Sequence, residues 1–103
     1  MDRIEKLVAF LKDSPDDCFL NHALALEYLK LGNDEEAQLL FEKNYAFDPA
    51  YVATYYHLGK LYERNGATEA ALRTFEEGMK IAKAAGDQHS YNELQGAYED
   101  LAY

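Results

Sequence analysis

Residues 49–75 read PAYVATYYHLGKLYERNGATEAALRTF, and residues 15–41 read PDDCFLNHALALEYLKLGNDEEAQLLF. Laid over one another they share a skeleton. Pro15, Leu24, Tyr28, Gly32, Ala37 and Phe41 return 34 residues later as Pro49, Leu58, Tyr62, Gly66, Ala71 and Phe75. Residues of such different chemistry keep one spacing only when a structural unit is itself repeated. The chain therefore stacks a unit on its copy instead of filling one irregular core, an arrangement that suits a binding module.

Outward from these two copies, each break carries a start or stop signal. Ile4, Leu7, Val8 and Leu11 recur at i, i+3, i+4 and i+7 and predict a first amphipathic helix from about Asp2 to Asp13. Ser14 and Pro15 read as an N-cap and a first helical residue, with Asp17 near the positive end of the dipole, and the second helix runs to Leu31. Gly32 ends it, Asn33 or Asp34 caps the next, and Glu35 to Ala46 forms the third helix. Asp48 and Pro49 repeat the cap-and-proline start of a fourth helix that closes near Arg64, before Asn65 and Gly66. Thr68 caps a fifth, ending near Ala85 and Gly86. Asp87 caps a sixth, with Tyr91, Leu94, Tyr98 and Leu101 on one apolar stripe. No strand pattern and no linker interrupts the series.

The expected fold is therefore all-α: six antiparallel helices wound as an α-α superhelix, with two full repeats flanked by a half repeat at each end. As one domain over residues 1–103 it divides into a half-repeat helix (1–14), repeat 1 (15–48), repeat 2 (49–86) and a capping helix (87–103). The end helices are expected to be polar on their outer sides. Leu101, Ala102 and Tyr103 are the exception; folding back, fraying and a small dimer contact all remain open for them.

Composition narrows the function classes. Ten Lys and Arg against nineteen Asp and Glu leave a net charge of −9, which repels phosphate backbones and anionic lipid, so neither nucleic acid nor a membrane is an expected partner. The residues from Met1 to Phe10 mix charges among apolar side chains and lack a signal-peptide pattern, and the apolar run Leu7 to Leu11 is too short to span a bilayer. A single cysteine, Cys18, cannot form an internal disulfide and fits a reducing compartment, so a cytoplasmic location is expected.

Tyr55, Leu58, Gly59, Tyr62, Ala71 and Phe75, with Pro49 ahead of them, resemble the tetratricopeptide repeat, whose signature is an aromatic, Leu-Gly, Tyr, Ala, Phe, Pro series. The first copy keeps Leu24, Tyr28, Ala37, Phe41 and Pro49. It departs at Asn21, where the aromatic stands, at Ala25 for the glycine, and at Asn44 for a usual alanine. The first helix looks like the second half of a preceding repeat and the sixth like the first half of a following one. In each pair the small residues, Ala25 or Gly59 against Ala37 or Ala71, let the axes approach so that Phe41 and Phe75 pack beside Tyr28 and Tyr62.

The resemblance implies a scaffold, adaptor, co-chaperone or regulator that holds a peptide in a concave groove lined by the first helix of each pair. On this chain that groove carries Phe19, His22, Leu26 and Lys30 from the second helix, Tyr56, His57, Lys60 and Arg64 from the fourth, and His89 from the sixth. Apolar Phe19, Leu26 and Tyr56 beside basic Lys60 and Arg64 suit a peptide with apolar anchors and a carboxylate. The plainer explanation is that Lys30, Lys60 and Arg64 neutralise Glu63, Glu99 and Asp100. In co-chaperones of the family the places of His22, Leu26, His57, His89 and Glu93 carry Lys, Asn, Asn, Lys and Arg, which clamp a peptide's terminal carboxylates. None of the five matches, and Leu26 and Glu93 argue against that role here.

Two other classes compete. One is a purely structural module that self-associates through its end helices with the groove empty; the chain is expected to be a monomer or a weak homodimer. The other uses His22, His57 and His89 for an anion or a metal, although no two lie at i, i+4 on one helix. No catalytic residue and no cofactor is expected: the chain has no Gly-rich phosphate loop, no His-Glu-x-x-His, no nucleophile elbow and no Cys-x-x-Cys. Cys18, early in a helix, is expected to have a somewhat lowered thiol pKa but no adjacent base. Gly78 and Gly96 lie within helices at a cost of about 1 kcal/mol each against alanine, for close helix approach in the first case and for that or groove space in the second.

Overall fold

The computed structural model describes residues 2–103, and six helices follow one another along it: α1 (Arg3–Asp13), α2 (Cys18–Lys30), α3 (Asp34–Phe47), α4 (Ala53–Arg64), α5 (Thr68–Ala85) and α6 (Gln88–Ala102). No strand occurs among the described residues. Two compact units divide the chain, one ending at Tyr51 and the other comprising Val52–Tyr103. In the first, α2 packs against both α1 and α3; in the second, α5 packs against both α4 and α6, and α4 also touches α6.

The repeat extends to the backbone. Gly32 and Gly66 take left-handed φ angles of 78° and 81°, and the residue after each donates its N–H back to a tyrosine carbonyl, Asn33 to Tyr28 and Ala67 to Tyr62, both at 2.9 Å. This six-to-one bond satisfies a carbonyl that the helix end would leave bare, and it requires a residue free to adopt positive φ. Gly86 does the same for α5 at φ 71°, where Asp87 N–H reaches Ala82 O.

The prolines behave differently from the expectation. Ser14 is not an N-cap but the C-cap of α1, at φ −140° and ψ 68°, and Asp48 ends α3 in nearly the same conformation, φ −143° and ψ 87°. A residue before proline is driven out of the helical region, so each proline stops a helix instead of starting one. Both then sit in a turn closed by matching bonds, Asp17 N–H to Ser14 O and Tyr51 N–H to Asp48 O. Asp17 is the true cap of α2, its carboxylate accepting from Leu20 N–H at 3.0 Å. In α4 no side chain caps, while Asp48 Oδ1 accepts from Ala50 N–H within the turn. Thr68 likewise is the first residue of α5, and Ala67 holds the cap position. Asp2 and Asp87 do cap α1 and α6, accepting from Glu5 N–H and Ser90 N–H.

In the first unit Leu7, Ala23 and Leu24 form a buried cluster with Ile4, Leu11, Leu20, Tyr28 and Leu40 around it. In the second, Tyr55, Ala71, Phe75, Ala82, Leu94 and Ala97 are buried, with Tyr56, Tyr62, Met79, Tyr91, Tyr98 and Leu101 among the flanking side chains. Each fully buried ring contributes about 1.5–3 kcal/mol by leaving water. The small residues do what their spacing predicts. A Cβ on Gly59 would fall within 2.8 Å of Phe75 ring atoms, and a Cβ on Gly78 would fall 2.6 Å from Tyr55 Cβ and 3.0 Å from Leu94 Cδ1. Gly96 has open space around it.

The departures of the first repeat are compensated by hydrogen bonds. Asn21, in the place of Tyr55, is buried and donates to the carbonyls of Pro15 and Asp17, both at 3.0 Å; Asn44, in the place of Gly78, is buried and donates to Cys18 O at 2.9 Å. Amide side chains thus occupy the space of a ring and satisfy carbonyls at the start of α2. At the chain's end Leu101 packs against the core cluster while Tyr103 is 95% exposed. The outer side of α1 is not wholly polar: Val8 and Phe10 are exposed, Phe10 to 59%.

Candidate partner-binding faces

On α2, Phe19, His22, Leu26 and Lys30 fall at i, i+3, i+7 and i+11 and share one side of the helix. Phe19 is 67% exposed, an unusual place for a large aromatic, whereas His22 and Leu26 are half-buried. The His22 ring meets Phe41 edge-on at a centroid distance of 5.5 Å and Tyr51 at 6.1 Å, so it is partly core and partly face. Lys30 reaches Glu27 at 3.0 Å, and Arg3 reaches the same carboxylate at 3.3 Å. The expected neutralisation of Lys30 thus comes from its own helix.

On α4, Tyr56 and His57 are half-buried and touch edge-on at 5.4 Å, and Tyr56 also packs against the core cluster. Lys60 pairs with Glu63 at 3.3 Å, as the plainer explanation anticipates, and Arg64 is exposed at the helix end. Burial holds the His57 pKa below 6.5, Glu93 on α6 acts in the opposite sense, and Arg64 adds to the lowering. The α4–α6 packing therefore brings His57, Arg64 and Glu93 into one electrostatic field. Exposed His89 lies one turn before Glu93 on α6. Glu93 is the residue that sequence reasoning undervalued: it stood as a departure from the family's clamp, whereas its effect on His57 crosses from one helix to another.

Cys18 corrects an expectation. Its thiol pKa is raised, first by burial and then by the carboxylates of Asp48, Asp17 and Asp16. The helix dipole favours the thiolate, but burial, together with the carboxylates of Asp48, Asp17 and Asp16, outweighs it. Tyr51 is raised as well, mainly by burial.

Among the described residues no group of three His, Cys, Asp or Glu side chains is arranged to hold a metal ion. No described helix is long and apolar enough to cross a membrane. Two adjoining clefts of about 250 and 260 Å³ between α5 and α6 share Lys83 and Tyr91 in their walls, and none of the expected groove residues lines them.

The repeated geometry has a counterpart in known proteins. The model of the tetratricopeptide repeat matches residues 20–51 and again 52–84. The chain belongs to the tetratricopeptide repeat family. A curated relative, the TPR repeat-containing protein PA0015 of Pseudomonas aeruginosa, is 30% identical over 91 residues, which cover 88% of this chain and 87% of that protein. Among solved structures, a tetratricopeptide repeat domain protein from Salinibacter ruber is 45% identical, with a TM-score of 0.82 over 84% of this chain and 96% of its own. The TPR2B domain of yeast Sti1 superposes with a TM-score of 0.87 at 19% identity, covering 96% of this chain and 79% of that one, a likeness of fold. The all-α helical-repeat fold expected from the 34-residue spacing is the fold of this tetratricopeptide chain.

Proposed function

We propose that this tetratricopeptide chain is a non-catalytic module that binds a protein or peptide on the faces presented by the first helix of each repeat. The observation that carries the reading is the α4–α6 face of the second unit. There the half-buried rings of Tyr56 and His57 adjoin the cations Lys60 and Arg64 on a chain whose net charge is −9. Arg64, exposed at the end of α4, offers a carboxylate one cation on this face, where Lys60 is paired with Glu63, and half-buried aromatics offer an apolar anchor at small entropic cost. On α2, Phe19 and Leu26 supply further apolar contact, with His22 and Lys30 at the same side.

Two further observations support this reading. The family's fold commonly mediates protein–protein interaction, and the Sti1 TPR2B domain was solved as a complex with pHsp70. The ligand expected here differs in kind from one held by a basic carboxylate clamp, because Leu26 and Glu93 stand where that clamp places polar and cationic groups. A cytoplasmic setting is part of the proposal and suits the free Cys18.

The test is capture of partners from a lysate of the source organism by the wild-type chain and by the Tyr56→Ala, Arg64→Glu double variant. Helicity is checked by circular dichroism, and a Lys60→Glu, Arg64→Glu variant changes only charge. Loss of the same partner by both variants at unchanged helicity is expected. Retained capture places the binding surface elsewhere.

A further inference from the structure

Arg3, Leu7 and Phe10 of α1 stand 34 residues before Ala37, Phe41 and Asn44, and 68 before Ala71, Phe75 and Gly78. On α3 and α5 this stripe is buried throughout, and on each it faces the helix before it, α2 or α4. On α1 only Leu7 is buried; Arg3 is exposed, and Phe10 shows 59% of its surface. At the other end, Tyr91, Gln95 and Tyr98 stand 36 residues after Tyr55, Gly59 and Tyr62, because α5 is longer than α3. Tyr55 and Gly59 are buried against α5, whereas Gln95 is exposed and Tyr91 opens onto the two clefts beside Met79 and Lys83. Thus α6 offers the face that receives a helix of the α3 and α5 type, and α1 is a helix of that type whose Arg3 and Phe10 positions are uncovered while Leu7 is packed against Ala23 and Leu24 of its own chain.

We propose that α1 of a second copy of this chain docks on α6, so that the two half repeats complete one repeat between the molecules. The register follows from the pairs inside the second unit. Tyr55 against Gly78 becomes Tyr91 against Phe10 of the second copy, with Phe10 entering the cleft at Tyr91. Gly59 against Phe75 becomes exposed Gln95 against the turn of α1 at Leu7, whose own side chain stays in the core of its chain. The same antiparallel register carries Arg3 to the turn of Tyr98 and Glu99. The repeat register selects a second copy as the occupant and charge is compatible with it: α6 carries Glu93, Glu99 and Asp100 and no Lys or Arg, whereas α1 carries Arg3, which also reaches Glu27 of its own chain, and Lys6 and Lys12 against Glu5 and Asp13. Such a contact is heterologous: each copy offers one α1 face and one α6 face, and copies add head to tail. It involves neither Tyr56 nor Arg64, and its outcome is independent of the groove reading.

Sedimentation velocity up to about 1 mM protein tests it. Phe10→Asp spoils the α1 face and Glu99→Arg the α6 face; both residues are exposed, and circular dichroism verifies the fold. The wild-type chain is expected to grow in mean mass with concentration beyond a dimer, and each variant alone to remain at the mass of one chain. An equimolar mixture is expected to form a dimer, because the intact α1 of one variant meets the intact α6 of the other. A monomeric wild type, a wild type that stops at a symmetric dimer, or a mixture that stays monomeric would each overturn the proposal.

Discussion

Tyr55 and Gly78 meet in the second unit with no room between them: a methyl group at Gly78 would stand 2.6 Å from the Tyr55 Cβ. The first unit solves the same contact with Asn21 and Asn44, which bond to backbone instead. Two sequences that look alike in outline thus hold their helix pairs together by different physics.

Gly78→Ala is expected to destabilise the chain by roughly 1–3 kcal/mol through overpacking, outweighing the gain of about 1 kcal/mol in helix propensity. Gly96→Ala meets no atom within 4 Å and is expected to stabilise by about 0.5–1 kcal/mol. Urea unfolding of the two variants should move the midpoint in opposite directions; a shift of the same sign in both would refute the packing argument.

Asn44→Ala removes the buried amide that donates to the Cys18 carbonyl and is expected to cost about 1–3 kcal/mol. Transplanting the second unit's solution, Asn21→Tyr with Asn44→Gly, should cost less than the sum of its single changes, because ring and glycine fit one another. A double-mutant cycle with no coupling would show that the two positions do not act as a pair.

The His57 pKa is lowered in the folded chain, chiefly by burial, so the unfolded chain binds that proton more readily. The contribution of the neutral ring to stability is therefore complete above 6.5 and is lost as pH falls from 6.5 through the folded-state value. An NMR titration of the imidazole should give a midpoint below 6.5, and Glu93→Gln should lower it further, since Glu93 opposes the shift. A midpoint at or above 6.5 contradicts this picture.

Cys18 should alkylate more slowly with iodoacetamide at pH 8 than an unhindered thiol, because burial and Asp48, Asp17 and Asp16 disfavour the thiolate. Asp48→Asn should speed the reaction. A thiol that labels as fast as a free peptide cysteine would mean that the helix dipole prevails over the carboxylates.

Much of the fold was legible because its signals are local. Gly32, Gly66 and Gly86 end helices by adopting positive φ, and the recurrence of Leu24, Ala37 and Phe41, with half-buried Tyr28 beside them, marks one packed seam twice. The prolines were misread because Ser-Pro and Asp-Pro serve either to stop one helix or to start the next. Which role wins depends on the bonds of the turn, Asp17 to Ser14 and Tyr51 to Asp48, which hold the proline outside both helices.

The binding faces were less legible. Helical spacing could put Phe19, His22 and Leu26 on one side of α2, but not show that Phe19 is exposed while His22 is wedged against Phe41 and Tyr51. Cys18 was misjudged because Asp48, one of the charges that set its thiol, lies 30 residues further along the chain.

From residue order alone came the helical class, the 34-residue unit and the family, since periodicity and glycine stops are properties of neighbours along the chain. The helix starts, the amide bonds of Asn21 and Asn44, the shifted titrations of His57 and Cys18 and the exposure of Phe10 were settled by tertiary structure. Each depends on desolvation or on a partner distant in sequence, and burial exists only once helices have packed.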